Sequence, residues 1–485
     1  MEKIRKFLPA PLILLAFLVS FIIIYIVAPP ILQDNDMGWH IAAGDLIRSL
    51  DNLPHHDTWS FSGSEQQWYN HSWLWDIILS LVHEKFGVEG LFIFAASCPA
   101  LLVALLLKSL GSRPEIGINA LIAIGFITIY CLLEFATGRP QLIGLFFALA
   151  FNHILSKTRL DNNCRCLYLL PFIMLLWVNI HASFIAGLFI IGAYGLEAIY
   201  FKNKSWLIKL FIVGIVCLLS VLINPYGISL VTFIISVKNS VITKYINEWN
   251  PFVFGNVIGA SIWFAAFIIF SNLRGKNTFL ADKILVVSWL FAMMISVRNM
   301  GLLAILGAPY LAGCLPPDNK DDINTHKLAA WLNNKNSSPK IMAAIFAIMT
   351  IGYFMLPVLG EEHYMERREK AVLPAISYLI KNYQGKRVFN DYDMGGRIIY
   401  ESKGEFPVFV DGRAGSVYEE KILQDFISIY SLEDGWEKIL DSYKINMIIL
   451  RNDRPFALNY TKGYYHDKWD EVFHDDVASI YVRKN

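Results

Sequence analysis

The chain reads as an α-helical polytopic membrane protein with about eleven transmembrane helices and a C-terminal extracytoplasmic α/β domain. Three observations carry that reading. Of 485 residues, 55% are hydrophobic and only 17% charged, too apolar a balance for an ordinary soluble chain. Apolar runs suited to a bilayer recur from residue 8 to residue 358. Beyond Gly360 the composition turns charged, and short strand-like and helix-like pieces then alternate. The expected division is a transmembrane domain over 1–360, with a first external loop at 32–87, and a soluble domain over 361–485. A formal net charge of +1 argues against a nucleic-acid partner.

The N-terminus, Met1-Glu-Lys3-Ile-Arg5-Lys6, has the charge of a signal-peptide n-region. The run behind it, Leu8 to Leu32, is too long for one, ends near Pro29-Pro30 and lacks a small-residue cleavage site. About 20 apolar residues rise ~30 Å as a helix, so this run is an uncleaved first span.

The loop that follows concentrates acids, imidazoles and tryptophans: Asp34-Asn-Asp36-Met-Gly-Trp39-His40, His55-His56-Asp57-Thr-Trp59, and Trp68-Tyr-Asn70-His71-Ser-Trp73. Its tryptophans, with Trp75, suit headgroup depth. Trp39, Ala42, Ala43, Leu46, Ile47 and Leu50 follow helical spacing, which predicts an amphipathic helix over Met37 to Leu50. Asp36 sits where an N-cap belongs, and His40, four residues on, shares its face. Capping alone would account for Asp36, but not for the second acid at Asp34. Two acids suit a metal or a polarised hydroxyl. Trp73 to Phe86 carries Asp76, His83, Glu84 and Lys85 and is expected to lie in the interface.

Further spans are expected near 88–107, 116–135, 140–155, 167–180, 184–201, 206–223, 252–272, 281–297, 299–315 and 340–358. Lysine and arginine collect in alternate loops, which the positive-inside rule assigns to the cytoplasm. The Asp34–Trp73 loop then faces outward. An odd number of spans puts the residues after Gly360 on that side as well. The six cysteines imply no disulfide framework, and Cys164-Arg-Cys166 lacks a second pair of metal ligands.

In the C-terminal domain, strands are expected at Arg387–Phe389, Pro407–Val410, Met447–Leu450 and Ala478–Val482. Helices are expected at Ala371–Asn382, Tyr418–Tyr430 and Gly435–Ser442, which together suggest a mostly parallel sheet. Asn390-Asp-Tyr-Asp-Met-Gly395 and Asp411-Gly412-Arg413 follow the first two strands, where α/β sheets place ligand contacts. Asp411 and Arg413 are therefore candidate substrate-binding residues, although acids and glycines here also serve caps and tight turns.

Other candidates lie in short outward loops. Arg139 and Arg298 are the exceptions in loops otherwise poor in positive charge, and a guanidinium fork fits a phosphate bidentately. Snorkelling to headgroups, or pairing with Glu134 or Glu248, is the alternative for both. His40, His71, Asn179, His181 and Glu248 complete the candidate substrate-binding set. His55-His56-Asp57 has ligand-type residues but suits a solvated loop, and Asn224-Pro-Tyr-Gly227 is a helix stop and turn.

This combination resembles the C-type (GT-C) membrane glycosyltransferases: Asp34-x-Asp36 in a long first outward loop with interfacial helices, about eleven spans, and an external C-terminal domain. The resemblance implies a sugar donor on a polyprenyl phosphate or diphosphate. It implies inverting transfer at the external face of a bacterial cytoplasmic membrane, to a glycan, lipid or protein acceptor of the cell envelope, lipopolysaccharide included. The first-loop acid acts as base, a role that falls on Asp36 or, failing it, Asp34. The departing phosphate needs positive charge, which Arg139, Arg298 or a divalent metal held by Asp36 and Glu248 would supply. The layout is also similar to the oligosaccharyltransferase catalytic subunit. Asn390-Asp-Tyr-Asp-Met-Gly395 sits where those enzymes carry Trp-Trp-Asp-Tyr-Gly, and the tryptophans are absent. A transporter or flippase for a lipid-linked or anionic substrate shares the spans and the membrane-depth charges, but needs neither the external domain nor the acid-rich loop.

Overall fold

The computed structural model describes residues 8–27, 34, 36–63, 66–113, 116–160, 165–238, 240–245, 249, 251, 278–315 and 372–484. Helices stand where the apolar runs predict them: α1 (Ala10–Val27), α3 (Trp73–Gly111), α4 (Ile118–Leu132), α5 (Gln141–Leu160), α6 (Leu170–Val178), α7 (Ile185–Tyr200), α8 (Lys204–Ser220), α10 (Leu280–Ile295) and α11 (Met300–Cys314). The amphipathic helix of the first loop is α2 (Met37–Leu50), with the predicted bounds. A short helix the sequence reading missed, α9 (Ser229–Lys238), follows the turn at Asn224–Gly227.

Four described stretches, Ala10–Val27, Trp73–Gly111, Ala182–Tyr200 and Val297–Cys314, are long and apolar enough to cross a membrane; Ile118–Leu132 and Arg165–Val178 are shorter apolar helices. Two of the expected spans, 252–272 and 340–358, lie outside the described residues. The predicted interfacial helix and the span after it join into α3, broken at Gly87, where φ is 66°. That left-handed backbone, open to glycine, is why the joint falls there. Ile208, Phe211, Ile212 and Ile215 of α8 remain exposed on the bundle surface, as lipid-facing side chains do.

The C-terminal domain holds α12 (Leu373–Asn382), β1 (Val388–Asn390), α13 (Tyr392–Glu401), α14 (Glu420–Tyr430), α15 (Trp436–Ser442), β2 (Met447–Arg451), α16 (Pro455–Thr461), β3 (Trp469–His474) and β4 (Ala478–Arg483). Its four-stranded sheet runs β1-β2-β4-β3. β1 and β2 are parallel, but β4 is antiparallel to both β2 and β3, so the sheet is mixed rather than mostly parallel. β3 escaped prediction because its acids, Asp470 and Glu471, fall next to each other and break the alternation.

The predicted strand at Pro407–Val410 takes a different partner. Val408 pairs in parallel with Ser60 of the first loop. Its N–H donates to the Trp59 carbonyl at 2.9 Å, and its own carbonyl accepts from Phe61 N at 3.1 Å. The edge toward β1 is filled by a side chain: Asn390 Oδ1 accepts from Phe409 N, and Asn390 Nδ2 donates to the Val410 carbonyl.

The first loop and the C-terminal domain thus share one core. Trp39, Ala43, Trp59 and Trp68 are buried in the same apolar cluster as Phe389, Ile398 and Phe409. Trp75 is buried in the membrane domain, so these indoles pack inside the protein rather than at headgroup depth.

Glycines let the helices touch. A Cβ on Gly38 of α2 would lie 2.2 Å from the Gly396 carbonyl oxygen of α13, and one on Gly44 would lie 2.1 Å from the Asp76 carbonyl oxygen of α3. Both obstacles are backbone atoms, which cannot swing aside. Gly38→Ala should therefore force α2 away from α13 and cost about 1–3 kcal/mol. Thermal unfolding in detergent and limited proteolysis after residue 372 should both report the loosened domain; an unchanged melting temperature would show the crossing is not close-packed.

Candidate functional site

Asp36 stands just before α2, yet its side chain makes no hydrogen bond to the first-turn amides, so it does not act as the expected cap. Asp36 Oδ1 accepts from Trp39 Nε1 at 3.1 Å, and Asp36 Oδ2 lies 3.2 Å from Arg139 Nη1. Arg139, in the turn before α5, donates Nε to both oxygens of Asp34, at 2.9 and 2.7 Å. Asp34 Oδ1 also accepts from Asp36 N at 2.9 Å. The two acids and the arginine that the sequence singled out therefore meet in one cluster. The Asp34 side chain is only 4% exposed, whereas that of Asp36 is 19% exposed. Of the two, Asp36 is the acid a ligand can reach. Burial holds the Asp36 carboxyl above its ordinary range; Arg139 opposes this and Asp34 adds to it.

His40 of α2 is fixed from the next helix. Its Nδ1 lies 2.6 Å from Asp76 Oδ1, and Asp76 Oδ2 accepts from Asn70 Nδ2 at 2.8 Å. The Trp39 ring stacks on the imidazole with centroids 3.6 Å apart. Asp76 was placed on the interfacial helix by sequence but given no role; its distance from His40 along the chain hid the link. His71 and His181 face each other with ring centroids 6.2 Å apart. Burial pushes the His71 imidazole down to about 4, with His40 and Arg298 adding to the effect. His181 is lowered well below its ordinary value by burial and by the same Arg298, so Arg298 lies near both. Arg298 donates Nη2 to Gln141 Oε1 at 3.1 Å and stacks 5.0 Å from the Trp249 ring. Both imidazoles are neutral at pH 7 and can offer an N–H to an anion.

Asn179 is committed to architecture: Oδ1 accepts from Trp73 Nε1, and Nδ2 donates to the Leu175 and Ile223 carbonyls. Together with Trp73, Leu74, Leu175, Leu176, Ile223 and Pro225 it lines an apolar groove of about 400 Å³. Trp73 and Asn179 each lie two residues from an imidazole of the His71–His181 pair, so the groove adjoins the cationic side of the site.

Asp411 and Arg413 lie elsewhere than a ligand surface. The Arg413 side chain is 0% exposed, as are its partners Asp57 and Asp411. Arg413 Nε and Nη2 donate to Asp411 at 2.8 and 2.7 Å, and Nη1 donates to Asp57 Oδ1 at 2.5 Å. Tyr418 Oη donates to Asp411 Oδ2 at 2.6 Å, and the guanidinium lies 5.0 and 4.9 Å from the Trp59 and Trp68 rings. Asp57, in the sequence a loop residue beside two histidines, is thus half of a buried ion pair. Glu248 lies outside the described residues. Among the described residues no group of three His, Cys, Asp or Glu side chains gathers as a cation cage.

No protein-family model and no curated protein sequence matches the chain. Solved structures do match. The oligosaccharyltransferase AglB from Archaeoglobus fulgidus, in complex with an inhibitory peptide and a dolichol-phosphate, superposes with a TM-score of 0.55 at 13% identity, over 90% of this chain and 69% of that one. ArnT from Cupriavidus metallidurans, bound to undecaprenyl phosphate, gives 0.51 at 14% identity over 98% of both chains. The apo form of ArnT gives 0.54 at 12% identity over 97% of both. The fold is the one these AglB and ArnT structures share. At these identities the likeness is one of fold, and it extends through both the membrane domain and the C-terminal domain.

The lowered His71 sets a pH dependence of stability. Its folded value is about 4 against an ordinary 6.5. Between those values the unfolded chain binds a proton that the folded chain refuses, so stability falls as pH drops through that window and is indifferent to this group above it. Thermal melts in detergent should decline from pH 7 to pH 4.5, and His71→Asn should flatten the slope; an equal slope in the variant would place His71 in a solvated setting.

Proposed function

We propose that this protein is a membrane glycosyltransferase that moves a sugar from a polyprenyl-(di)phosphate donor to an acceptor hydroxyl at the external face, with inversion, and that Asp36 is the base. The observation that carries the reading is the division of the site. A reachable carboxylate, uncommitted to capping, stands on one side, and Arg298 with two neutral imidazoles stands on the other. His40, anchored by Asp76, is within electrostatic reach of both. That is the polarity an inverting displacement needs, with a base behind the acceptor oxygen and positive charge at the departing oxygen.

Asp36 Oδ2 takes the proton from the acceptor hydroxyl as its oxygen bonds to the anomeric carbon. The bond from that carbon to the phosphate oxygen breaks, and the electron pair leaves with the lipid phosphate. Arg298 receives that charge, with N–H groups of His71 and His181, and the adjoining apolar groove fits the first isoprene units. ArnT bound to undecaprenyl phosphate and AglB bound to dolichol-phosphate share this fold, which supports a lipid-linked donor. In this reading Arg139 serves the acids rather than the phosphate: it occupies Asp34 and lowers the proton affinity that burial gives Asp36. A divalent cation near Asp36 would join or replace Arg139 there, and the chemistry it would supply is added positive charge. Asp411 and Arg413 hold the fold around the site.

Asp36→Asn should keep donor binding and lose roughly 10²-fold or more in turnover. Asp34→Asn, removing the sealed acid, should lose less. Arg298→Ala should weaken donor binding by about 1.5–3 kcal/mol. Normal turnover in Asp36→Asn would sink the base assignment, and donor movement across the bilayer without any turnover would favour a flippase.

Arg139→Gln should move the acid limb of the kcat/KM profile to higher pH. Removing the cation raises Asp36 further, and the base is then ionised only at higher pH. A limb that stays put would show that Asp36 does not govern it.

A further inference from the structure

The turn Asp411-Gly412-Arg413 comes from the C-terminal domain, yet it touches the acid of the first loop. A Cβ built on Gly412 would lie 1.8 Å from Asp36 Oδ1, 3.0 Å from Asp36 Cγ and 3.0 Å from Trp39 Nε1. Gly412 does not have the positive φ that distinguishes Gly435 or Gly463, so its backbone gives no reason for glycine. Space does. The turn is also held rigidly. Arg413 N and Nε both donate to Asp411 Oδ1, at 2.9 and 2.8 Å, while Nη1 reaches across to Asp57 of the first loop. Asp57 accepts in turn from Trp59 N and Ser60 N, both at 3.0 Å.

We propose that Gly412 is a positioning residue for the transfer reaction: the C-terminal domain forms the back wall of the base and fixes the Asp36 carboxylate by contact. Three contacts limit the Asp36 carboxylate. Trp39 Nε1 donates to Oδ1 and Arg139 Nη1 lies against Oδ2, while Gly412 sits against Oδ1 beside the Trp39 N–H and leaves that oxygen no room to move toward the turn. A carboxylate placed by contact keeps one rotamer, as a base must when misplacement by 1 Å costs about 10²-fold in rate. The C-terminal domain is then part of the catalytic geometry and has a role even where it touches no substrate. This inference rests on Asp36 as base, but the contact itself can be measured without activity.

The test is a double-mutant cycle in the full chain, with Gly412→Ala made alone and together with Asp36→Ala. Gly412→Ala alone should lower kcat by about 10²-fold, leave the KM for the lipid donor nearly unchanged, and lower the melting temperature. In the Asp36→Ala background the same substitution should cost no further turnover and little melting temperature, because the clashing carboxylate is gone. If Gly412→Ala alone fails to fold, recovery of folded protein on adding Asp36→Ala supports the contact, and failure in both backgrounds overturns it. An equal fall in melting temperature in the two backgrounds, or wild-type kcat in Gly412→Ala, overturns the proposal. Full turnover in Asp36→Asn sinks the base assignment instead, and the melting cycle still reports the contact.

Discussion

One buried guanidinium holds this architecture together. Arg413 has no contact with water, and a charge in that position is tolerated only when every donor finds an acceptor. Nε and Nη2 are taken by Asp411 and Nη1 by Asp57, while two indoles lie within 5.0 Å of the cation. The partners come from opposite ends of the chain, so the pair joins the first loop to the C-terminal domain. Such a network specifies geometry more than it adds stability. The strand-like pairing of Ser60 with Val408 and the glycine crossing of α2 with α13 run in the same direction across the same interface.

The site depends on that union. Asp36 is clasped by residues from three places: Trp39 one turn into its own helix, Arg139 from the turn before α5, and Gly412 from the far domain. His71, His181 and Arg298 come from three further connections between helices, so the proposed site draws on several loops rather than on one element.

Much of this was legible in the sequence, for stateable reasons. Hydrophobic runs located the membrane helices because lipid leaves the backbone no alternative to helix. The bounds of α2 followed from its periodicity. Asp34, Asp36 and Arg139 announced themselves as charges in places where charge is costly. The pairing of Asp34 and Asp36 with Arg139 was not legible, since nothing along the chain links residues 34 and 139. Arg413 looked like a ligand contact because a charged residue after a strand more often meets solvent or substrate than Asp57. The loop tryptophans looked interfacial for the same reason: indoles between apolar and wet surroundings suit a headgroup layer, and a domain core that receives them is visible only in three dimensions. Pro407–Val410 has the composition of a strand and does pair as one, but with a segment roughly 350 residues earlier, a choice that local composition cannot express.

That long reach has a consequence for biogenesis. Asp57 and Arg413 are 356 positions apart. At about 5–20 residues per second of synthesis, the first loop waits roughly 20–70 s before its other half is made. Throughout that interval Trp39, Trp59, Trp68 and the carboxylate of Asp57 have no core to enter. The nascent loop is a client for whatever guards unfinished chains, be it lipid surface or chaperone, and a target for any protease within reach. The segment around Arg413 decides whether the segment around Asp57 survives.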